Sequence, residues 1–241
     1  MATRKQWAVG LVSVAMCWGF GTGLAAAVPT LSFDNPTVDG GSISYDGAGG
    51  PVTATDVIFQ QLIGVDTPVN NGTVLFCFPV NCLLSFTTGP NGSFEGPPIW
   101  GFDGGGSVSM TGGLNTAADG SGIQVVAGGT ALITSGSFND PAVALGIGSS
   151  LQFTGSGSDT KDTTVAAFYG LANPFSFVTT ELSLGAATID PVTGAFSARV
   201  TDADFQNTGT VAQVPEPATL LLLGAGLTGI AVWGRRRART I

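Results

Sequence analysis

Short stretches of alternating apolar and polar residues, separated by glycine-containing turn pairs, run through residues 28–213 of this 241-residue chain. A strand with one buried face needs this period of two, because successive side chains point to opposite faces of a sheet. The clearest examples are GSISYD, with Ile43 and Tyr45, GSVSMT, with Val108 and Met110, and GAFSARVT, with Phe196, Ala198 and Val200. The pattern predicts an all-β domain.

Longer apolar runs in the same region indicate strands that are buried more deeply. They are DVIFQQLIGV, TVLFCF, CLLSF, TVAAFYG and FSFVTTELSLG. Turn pairs lie between these runs, at residues 39–41, 71–72, 91–92, 103–104 and 119–120. Together the runs and turns predict about a dozen strands.

The arrangement of these strands is less constrained than their number. No segment of residues 28–213 combines a sustained helical stripe with caps, and each interior glycine would cost a helix about 1 kcal/mol. We therefore expect an antiparallel two-sheet sandwich of jelly-roll type. Glycine pairs at 104–106, 112–113 and 128–129 favour a β-solenoid as the alternative, although no fixed repeat period accompanies them.

The distribution of charge excludes several classes of function. All of the 16 acidic residues except Glu216 lie within residues 28–213, where Lys161 and Arg199 are the only basic residues, so the net charge of this region is −13. Phosphate backbones repel such a domain, and we expect no nucleic-acid partner. The chain has no histidine, which excludes Ser-His-Asp and Cys-His catalysis and imidazole metal ligands.

The first 27 residues have the layout of a secretory signal peptide. A basic start at residues 4–5 is followed by an apolar stretch at 7–24, which would form the signal helix, and by alanines at 25–27. This order predicts cleavage by signal peptidase between Ala27 and Val28. An uncleaved transmembrane helix is the alternative, and the glycines within the apolar stretch count against it.

Cys77 and Cys82 lie between two strand-like runs, in TVLFCFPVNCLLSF. In an exported protein, cysteines on either side of a four-residue hairpin loop are expected to form a disulfide. Chain-entropy reasoning gives such a small loop about 2 kcal/mol of stabilisation. A redox or metal pair is the weaker alternative, because the spacing is not CxxC and no histidine completes a site.

Carboxylates supply two candidate sites within the domain. Glu95 and Glu181 are its only glutamates and would form the acid-base pair of a polysaccharide hydrolase, although nothing in the sequence brings them together. Aspartates in GSGSDTKDTT and VTDADFQ, namely Asp159, Asp162, Asp202 and Asp204, offer oxygen ligands to calcium. They match no known calcium loop, so solvated turn aspartates are the favoured interpretation. We expect no catalytic residue, metal or cofactor.

Trp100 is the only tryptophan of residues 28–213. An exposed indole stacks well on a sugar ring, which makes Trp100 a candidate carbohydrate contact. A tryptophan buried in the core is equally expected.

The last part of the chain, residues 214–241, combines three features in a fixed order. Val214-Pro-Glu-Pro (214–217) contains two prolines that keep the backbone extended. Residues 218–233 carry no charge and predict a transmembrane helix of about 24 Å, which is short against a hydrocarbon core of roughly 30 Å. The basic end, 234–241, contains Arg235, Arg236 and Arg237, which should stay cytoplasmic while the domain faces outward.

This tail closely resembles the PEP-CTERM sorting tail of exported proteins from Gram-negative bacteria. The matching residues are Pro215, Glu216 and Pro217, then 220–233, then 235–237. The resemblance implies recognition near the motif by a membrane-embedded processing enzyme, an exosortase. It also implies a transient stay in the inner membrane before release to the cell surface or extracellular matrix, and an association with exopolysaccharide and biofilm formation.

From these features we expect three parts: a signal peptide at 1–27, a glycine-rich β domain at 28–213 and a sorting tail at 214–241. The expected function is that of a non-enzymatic surface or matrix protein. A carbohydrate-binding module of the matrix is the first alternative, and an enzyme acting on polysaccharide is the second.

Overall fold

The computed structural model describes residues 27–37, 39–94, 98–139, 141–147 and 150–212. These residues form thirteen β-strands and one short α-helix. In chain order the elements are β1 Thr30–Asp34, β2 Ser42–Tyr45, β3 Pro51–Phe59, β4 Gln61–Val65, β5 Val74–Cys77, β6 Cys82–Phe94, β7 Ile99–Phe102, β8 Ser107–Asn115, β9 Gln124–Phe138, β10 Ala142–Ile147, β11 Ser150–Lys161, α1 Thr163–Tyr169, β12 Leu171–Ile189 and β13 Phe196–Val211. The predicted all-β class is confirmed.

The strands form one hydrogen-bonded sheet with antiparallel pairings. The order is β1-β4-β5-β8-β9-β11-β10-β7-β6-β3-β2-β13-β12, with additional pairings β1–β13, β8–β6 and β11–β12. Long strands exchange neighbours along their length: β13 pairs with β2 near Phe196 and with β1 near Phe205. This architecture is consistent with a sandwich, and the jelly-roll connectivity stays a prediction.

The buried faces of the strands meet in a core rich in phenylalanine. The alternation predicted from the sequence is confirmed in β2, where Ile43 and Tyr45 are buried between exposed serines. Ring contacts connect Phe33 to Phe205, Phe205 to Phe177 and Phe177 to Phe138, with centroids 5.1–6.3 Å apart. Aromatic contacts therefore join β1, β13, β12 and β9 through the interior.

The run TVAAFYG was predicted as a buried strand, and this prediction is wrong. It forms α1, whose first turn is capped by the Asp162 carboxylate, which accepts hydrogen bonds from the N–H groups of Thr164 and Val165. The helix ends at Gly170 in the left-handed conformation, with φ of 72°. An aspartate at the N-cap and a glycine after the last turn favour a helix, which is why this apolar run forms a helix and not a strand.

One predicted turn does not match the structure, and the glycine pair at 112–113 has a different role from the repeat that suggested a solenoid. Residues 91–92 lie within β6, beside a register shift, and a Cβ on Gly92 would collide with the Asp103 carboxylate. The pair at 112–113 lies within β8, where a Cβ on Gly113 would collide with the Phe78 carbonyl oxygen. These glycines permit close approach between chain segments. The β-solenoid alternative is not confirmed.

The predicted signal helix and C-terminal transmembrane helix lie outside the described residues. Among the residues that the structure describes, no helix has the length and apolar character needed to cross a membrane.

Candidate functional site

The described part of the domain contains one buried cluster of ionisable and amide side chains, which we call the Lys161 cluster. It consists of Asp159, Lys161 and Asn207 together with the rings of Phe33, Phe175 and Phe205. Lys161 is 1% exposed and Asp159 2% exposed. The interpretation of Asp159 as a solvated turn residue is therefore wrong.

The polar atoms of this cluster are in direct contact. Nζ of Lys161 lies 2.6 Å from Oδ2 of Asp159 and 2.5 Å from Oδ1 of Asn207. Asp159 and Lys161 are two residues apart on β11, so they point to the same face. Asn207 reaches the amine from β13.

Three rings surround the amine. Nζ of Lys161 lies 5.7, 5.5 and 5.4 Å from the ring centroids of Phe33, Phe175 and Phe205. All three rings are at most 1% exposed. Ring faces attract a cation, but they provide no hydrogen-bond acceptor comparable to water.

Neighbouring strands hold the cluster in place through amide hydrogen bonds. The backbone N–H of Lys161 donates to Oδ1 of Asn173 at 2.8 Å, and Nδ2 of Asn173 donates to the Lys161 carbonyl at 3.0 Å. Nδ2 of Asn207 donates to the Phe205 carbonyl at 3.3 Å. Among the described residues, Oδ1 of Asp159 has no hydrogen-bond partner.

Burial shifts both ionisable groups towards their neutral forms. Desolvation lowers the pKa of Lys161 to about 8, although the attraction of Asp159 opposes the change. Desolvation raises the pKa of Asp159, against the attraction of Lys161 and its hydrogen bond. Proton transfer from the ammonium to the carboxylate is consequently easier here than in water, and the product is an uncharged amine beside a carboxamide.

A signal for this cluster was present in the sequence. The residues of β11 that share a face include Leu151, Phe153, Asp159 and Lys161, so the alternation places the domain's only lysine on the apolar side. The charged residues in GSGSDTKDTT nevertheless favoured a solvated turn. The partner Asn207 is 46 positions away from Lys161, and only the folded chain brings them together.

The other aspartates of the calcium hypothesis have separate structural partners. Asp162 caps α1, and Asp204 accepts hydrogen bonds from Oγ of Ser32 at 3.1 Å and Nε2 of Gln206 at 3.0 Å. Asp202 is exposed. Within the described ranges, no group of three or more Cys, Asp or Glu side chains is placed to hold a metal ion.

Cys77 and Cys82 form a disulfide with Cα atoms 5.5 Å apart. The hairpin proposed around them is wrong, since β5 and β6 are not paired with each other. Both strands pair with β8, with Cys77 opposite Leu114 and Leu83 opposite Thr111. The disulfide therefore closes an excursion of the chain, residues 78–81, between two strands that share one edge of β8.

Trp100 is not an exposed aromatic platform. Its side chain is 0% exposed, its Nε1–H donates to the Gly194 carbonyl at 2.9 Å, and its ring packs edge-on against Phe196. A sugar ring has no access to the indole in this fold. The proposed carbohydrate contact at Trp100 is therefore wrong, and the core alternative is observed.

Several predicted residues lie at or beyond the limits of the described structure. Glu95 is outside it, and for Glu181 only the strand backbone is described, opposite Asp204 in β13. At the predicted signal cleavage site, Ala27 and Val28 are both exposed, and β1 begins two residues after Val28. The sorting motif and the terminal arginines lie beyond Ala212 and are not described.

Comparison with known proteins identifies the tail. Residues 213–237 match the family model described as the PEP-CTERM protein-sorting motif. The chain carries a PEP-CTERM sorting motif. This motif implies export and processing by an exosortase, and the PEP-CTERM match begins directly after Ala212, the last described residue of the domain. No curated protein and no solved structure matches the chain.

Proposed function

We propose that this protein is a non-enzymatic structural component of the cell surface or extracellular polysaccharide matrix, delivered there through its PEP-CTERM tail. The observation that carries the proposal is the match of residues 213–237 to the sorting motif. The association with biofilm and exopolysaccharide comes from the resemblance of the tail to that family. The domain itself contributes a densely packed, acidic body for display outside the cell.

The order of segments supports a temporary membrane stage. A signal peptide at 1–27 would send the β domain outward, and the arginines at 235–237 would hold the end of the tail in the cytoplasm. Only Gln213 and Val214 separate Ala212 from the motif at Pro215–Pro217. The processing enzyme must therefore act close to a folded domain, which is then released or transferred whole.

The carbohydrate-binding module and the polysaccharide enzyme, the two alternative functions, depended on different residues. The carbohydrate-binding module depended on an exposed Trp100, which is buried. The polysaccharide enzyme depended on Glu95 and Glu181, whose side chains lie outside the described part of the structure, so this alternative stays a prediction.

Sorting is tested by mass analysis of protein produced with and without an exosortase. With the enzyme present, we expect the released protein to begin at Val28 and to lack Arg235–Ile241. Replacing Pro215, Glu216 and Pro217 by alanine should leave the tail attached. Pro191→Ala is the matched control, because Pro191 lies in an exposed turn of the domain. Released protein that retains the arginines would contradict the proposal.

The structural role is tested in cells that make matrix. Deletion of the gene should weaken matrix cohesion, and restoration should require both the β domain and an intact motif. A tail fused to an unrelated folded domain is the control for sorting alone. If that fusion restores the matrix equally well, the β domain has no structural role.

A further inference from the structure

The Lys161 cluster contains the three groups needed to form an amide bond between side chains. They are a buried amine on Lys161, a carboxamide on Asn207 and a carboxylate on Asp159 that contacts the amine. We propose that Lys161 and Asn207 become joined by an intramolecular isopeptide bond, with Asp159 transferring the protons. The bond would be a self-made modification of this chain and is independent of its sorting.

The reaction balances without any co-reactant. The Lys161 ammonium gives a proton to the Asp159 carboxylate, and the lone pair of the neutral Nζ attacks Cγ of Asn207. Asp159 then relays a proton from Nζ to Nδ2, the Cγ–Nδ2 bond breaks, and ammonia leaves. The products are a secondary amide between Nζ and Cγ, one ammonia and a protonated Asp159, which returns its proton to solvent or to the ammonia.

The surroundings favour each step of this reaction. The amine must lose its charge before it can attack, and burial among three rings disfavours the charged form. Contact between the reacting groups replaces a bimolecular encounter by one within a fixed geometry. Oδ2 of Asp159 contacts Nζ, and Oδ1 of the same carboxyl group has no hydrogen-bond partner among the described residues and is available to exchange a proton.

The location gives the bond a mechanical consequence. Lys161 ends β11 and Asn207 lies near the end of β13, and these two strands are neighbours of β12 on opposite sides. The bond would therefore tie two strands between which the described residues show no pairing. It would also enclose α1 and the whole of β12 in a covalent ring, which resists unfolding of that part of the chain.

Peptide mapping tests the proposal directly. Trypsin cuts after lysine and arginine, and residues 28–213 contain only Lys161 and Arg199. We expect the full chain, purified, unfolded and reduced, to resist cutting after Lys161. The peptide that ends at Arg199 should remain covalently joined to the peptide that begins at Val200, with a total mass lower by one ammonia.

Variants distinguish this bond from other reactions that release ammonia. Asn207→Ala should abolish the link, and Asp159→Asn should slow its formation by at least about a hundredfold, the lower end of the range for loss of acid-base catalysis. Asn71→Ala is the matched control, because Asn71 is exposed and precedes glycine. Ammonia loss by ring closure can occur at Asn71-Gly72 and Asn91-Gly92. It leaves the two peptides separate, and the control variant removes it at the first of these sites.

Two results would overturn the proposal. The first is a folded wild-type protein, shown by its circular dichroism, that trypsin separates at Lys161 after unfolding. The second is a linked species that persists in Asn207→Ala. Undiminished linkage in Asp159→Asn would exclude the role given to Asp159. The digest of the wild-type protein tests the bond without any variant. The proposal can therefore be refuted even if a variant fails to fold.

Discussion

Replacing Trp100 by alanine should unfold the domain more easily without removing any binding surface. The indole lies on β7, is 0% exposed, and contacts Phe196 at a centroid distance of 5.1 Å. Its Nε1–H donates to the carbonyl of Gly194, in the turn between β12 and β13. The residue therefore joins a short strand to the turn that connects the two longest strands.

The size of the effect follows from the contacts that are lost. Truncation of a buried tryptophan to alanine costs about 3–5 kcal/mol, because apolar contacts disappear and a cavity remains. The Gly194 carbonyl also loses its donor, and a buried acceptor without a partner costs about 1–3 kcal/mol, part of which is included in the first figure. For a domain of this length, 3–5 kcal/mol lowers Tm by about 6–20 °C.

The assay is urea unfolding followed by circular dichroism, on wild type, Trp100→Ala and Trp100→Phe. Phenylalanine keeps a ring against Phe196 but cannot donate to Gly194. The free energy of unfolding of Trp100→Phe should therefore lie between those of wild type and Trp100→Ala. A polysaccharide-binding measurement at a temperature where all three are folded should show no difference between them.

The reasoning fails if Trp100→Ala unfolds within about 0.5 kcal/mol of wild type, the range typical of surface substitutions. It also fails if the folded variant loses binding to a polysaccharide that the wild type binds. Either result would require an accessible indole.

Further predictions concern the disulfide and two aspartates. Replacing Cys77 and Cys82 by serine should lower the free energy of unfolding by about 2 kcal/mol, and labelling of the native wild type should find neither thiol free. Asp162→Ala should cost about 1 kcal/mol through loss of the helix cap, measured by urea unfolding with Asp162→Asn as the milder control. Hydrogen bonds from the N–H groups of Val192 and Thr193 lower the pKa of Asp190. The stability advantage of wild type over Asp190→Ala should therefore be present above pH 3.8 and disappear as the pH falls through the lower folded-state pKa; a pH-independent difference would contradict this.

Strand content was predictable because it depends on local pattern. Alternation around Ile43, Val108 and Phe196 fixes which side chains face the core, whatever the order of the strands. The same reasoning misassigned α1, since seven residues are too few to show a helical period and the apolar run alone resembled a strand. The caps at Asp162 and Gly170 are the features of the sequence that indicate a helix here.

The disulfide shows the limit of local reasoning. Proximity of Cys77 and Cys82 in the sequence was enough to predict the bond. It was not enough to predict that β5 and β6 both lie along β8, because strand pairing between distant segments depends on the whole sheet. Gly112 and Gly113, which suggested a repeat, instead make room for Cys82 and Phe78.

The export and sorting of this protein follow from its linear sequence, since a sorting motif is an arrangement that an enzyme recognises in an extended peptide. The all-β class also follows from the sequence, because a period of two is a property of neighbouring residues. The burial of Trp100 in the core and the contact of Lys161 with Asn207 are consequences of the fold. Both outcomes depend on which strands become neighbours, and in this domain those strands come from distant parts of the chain.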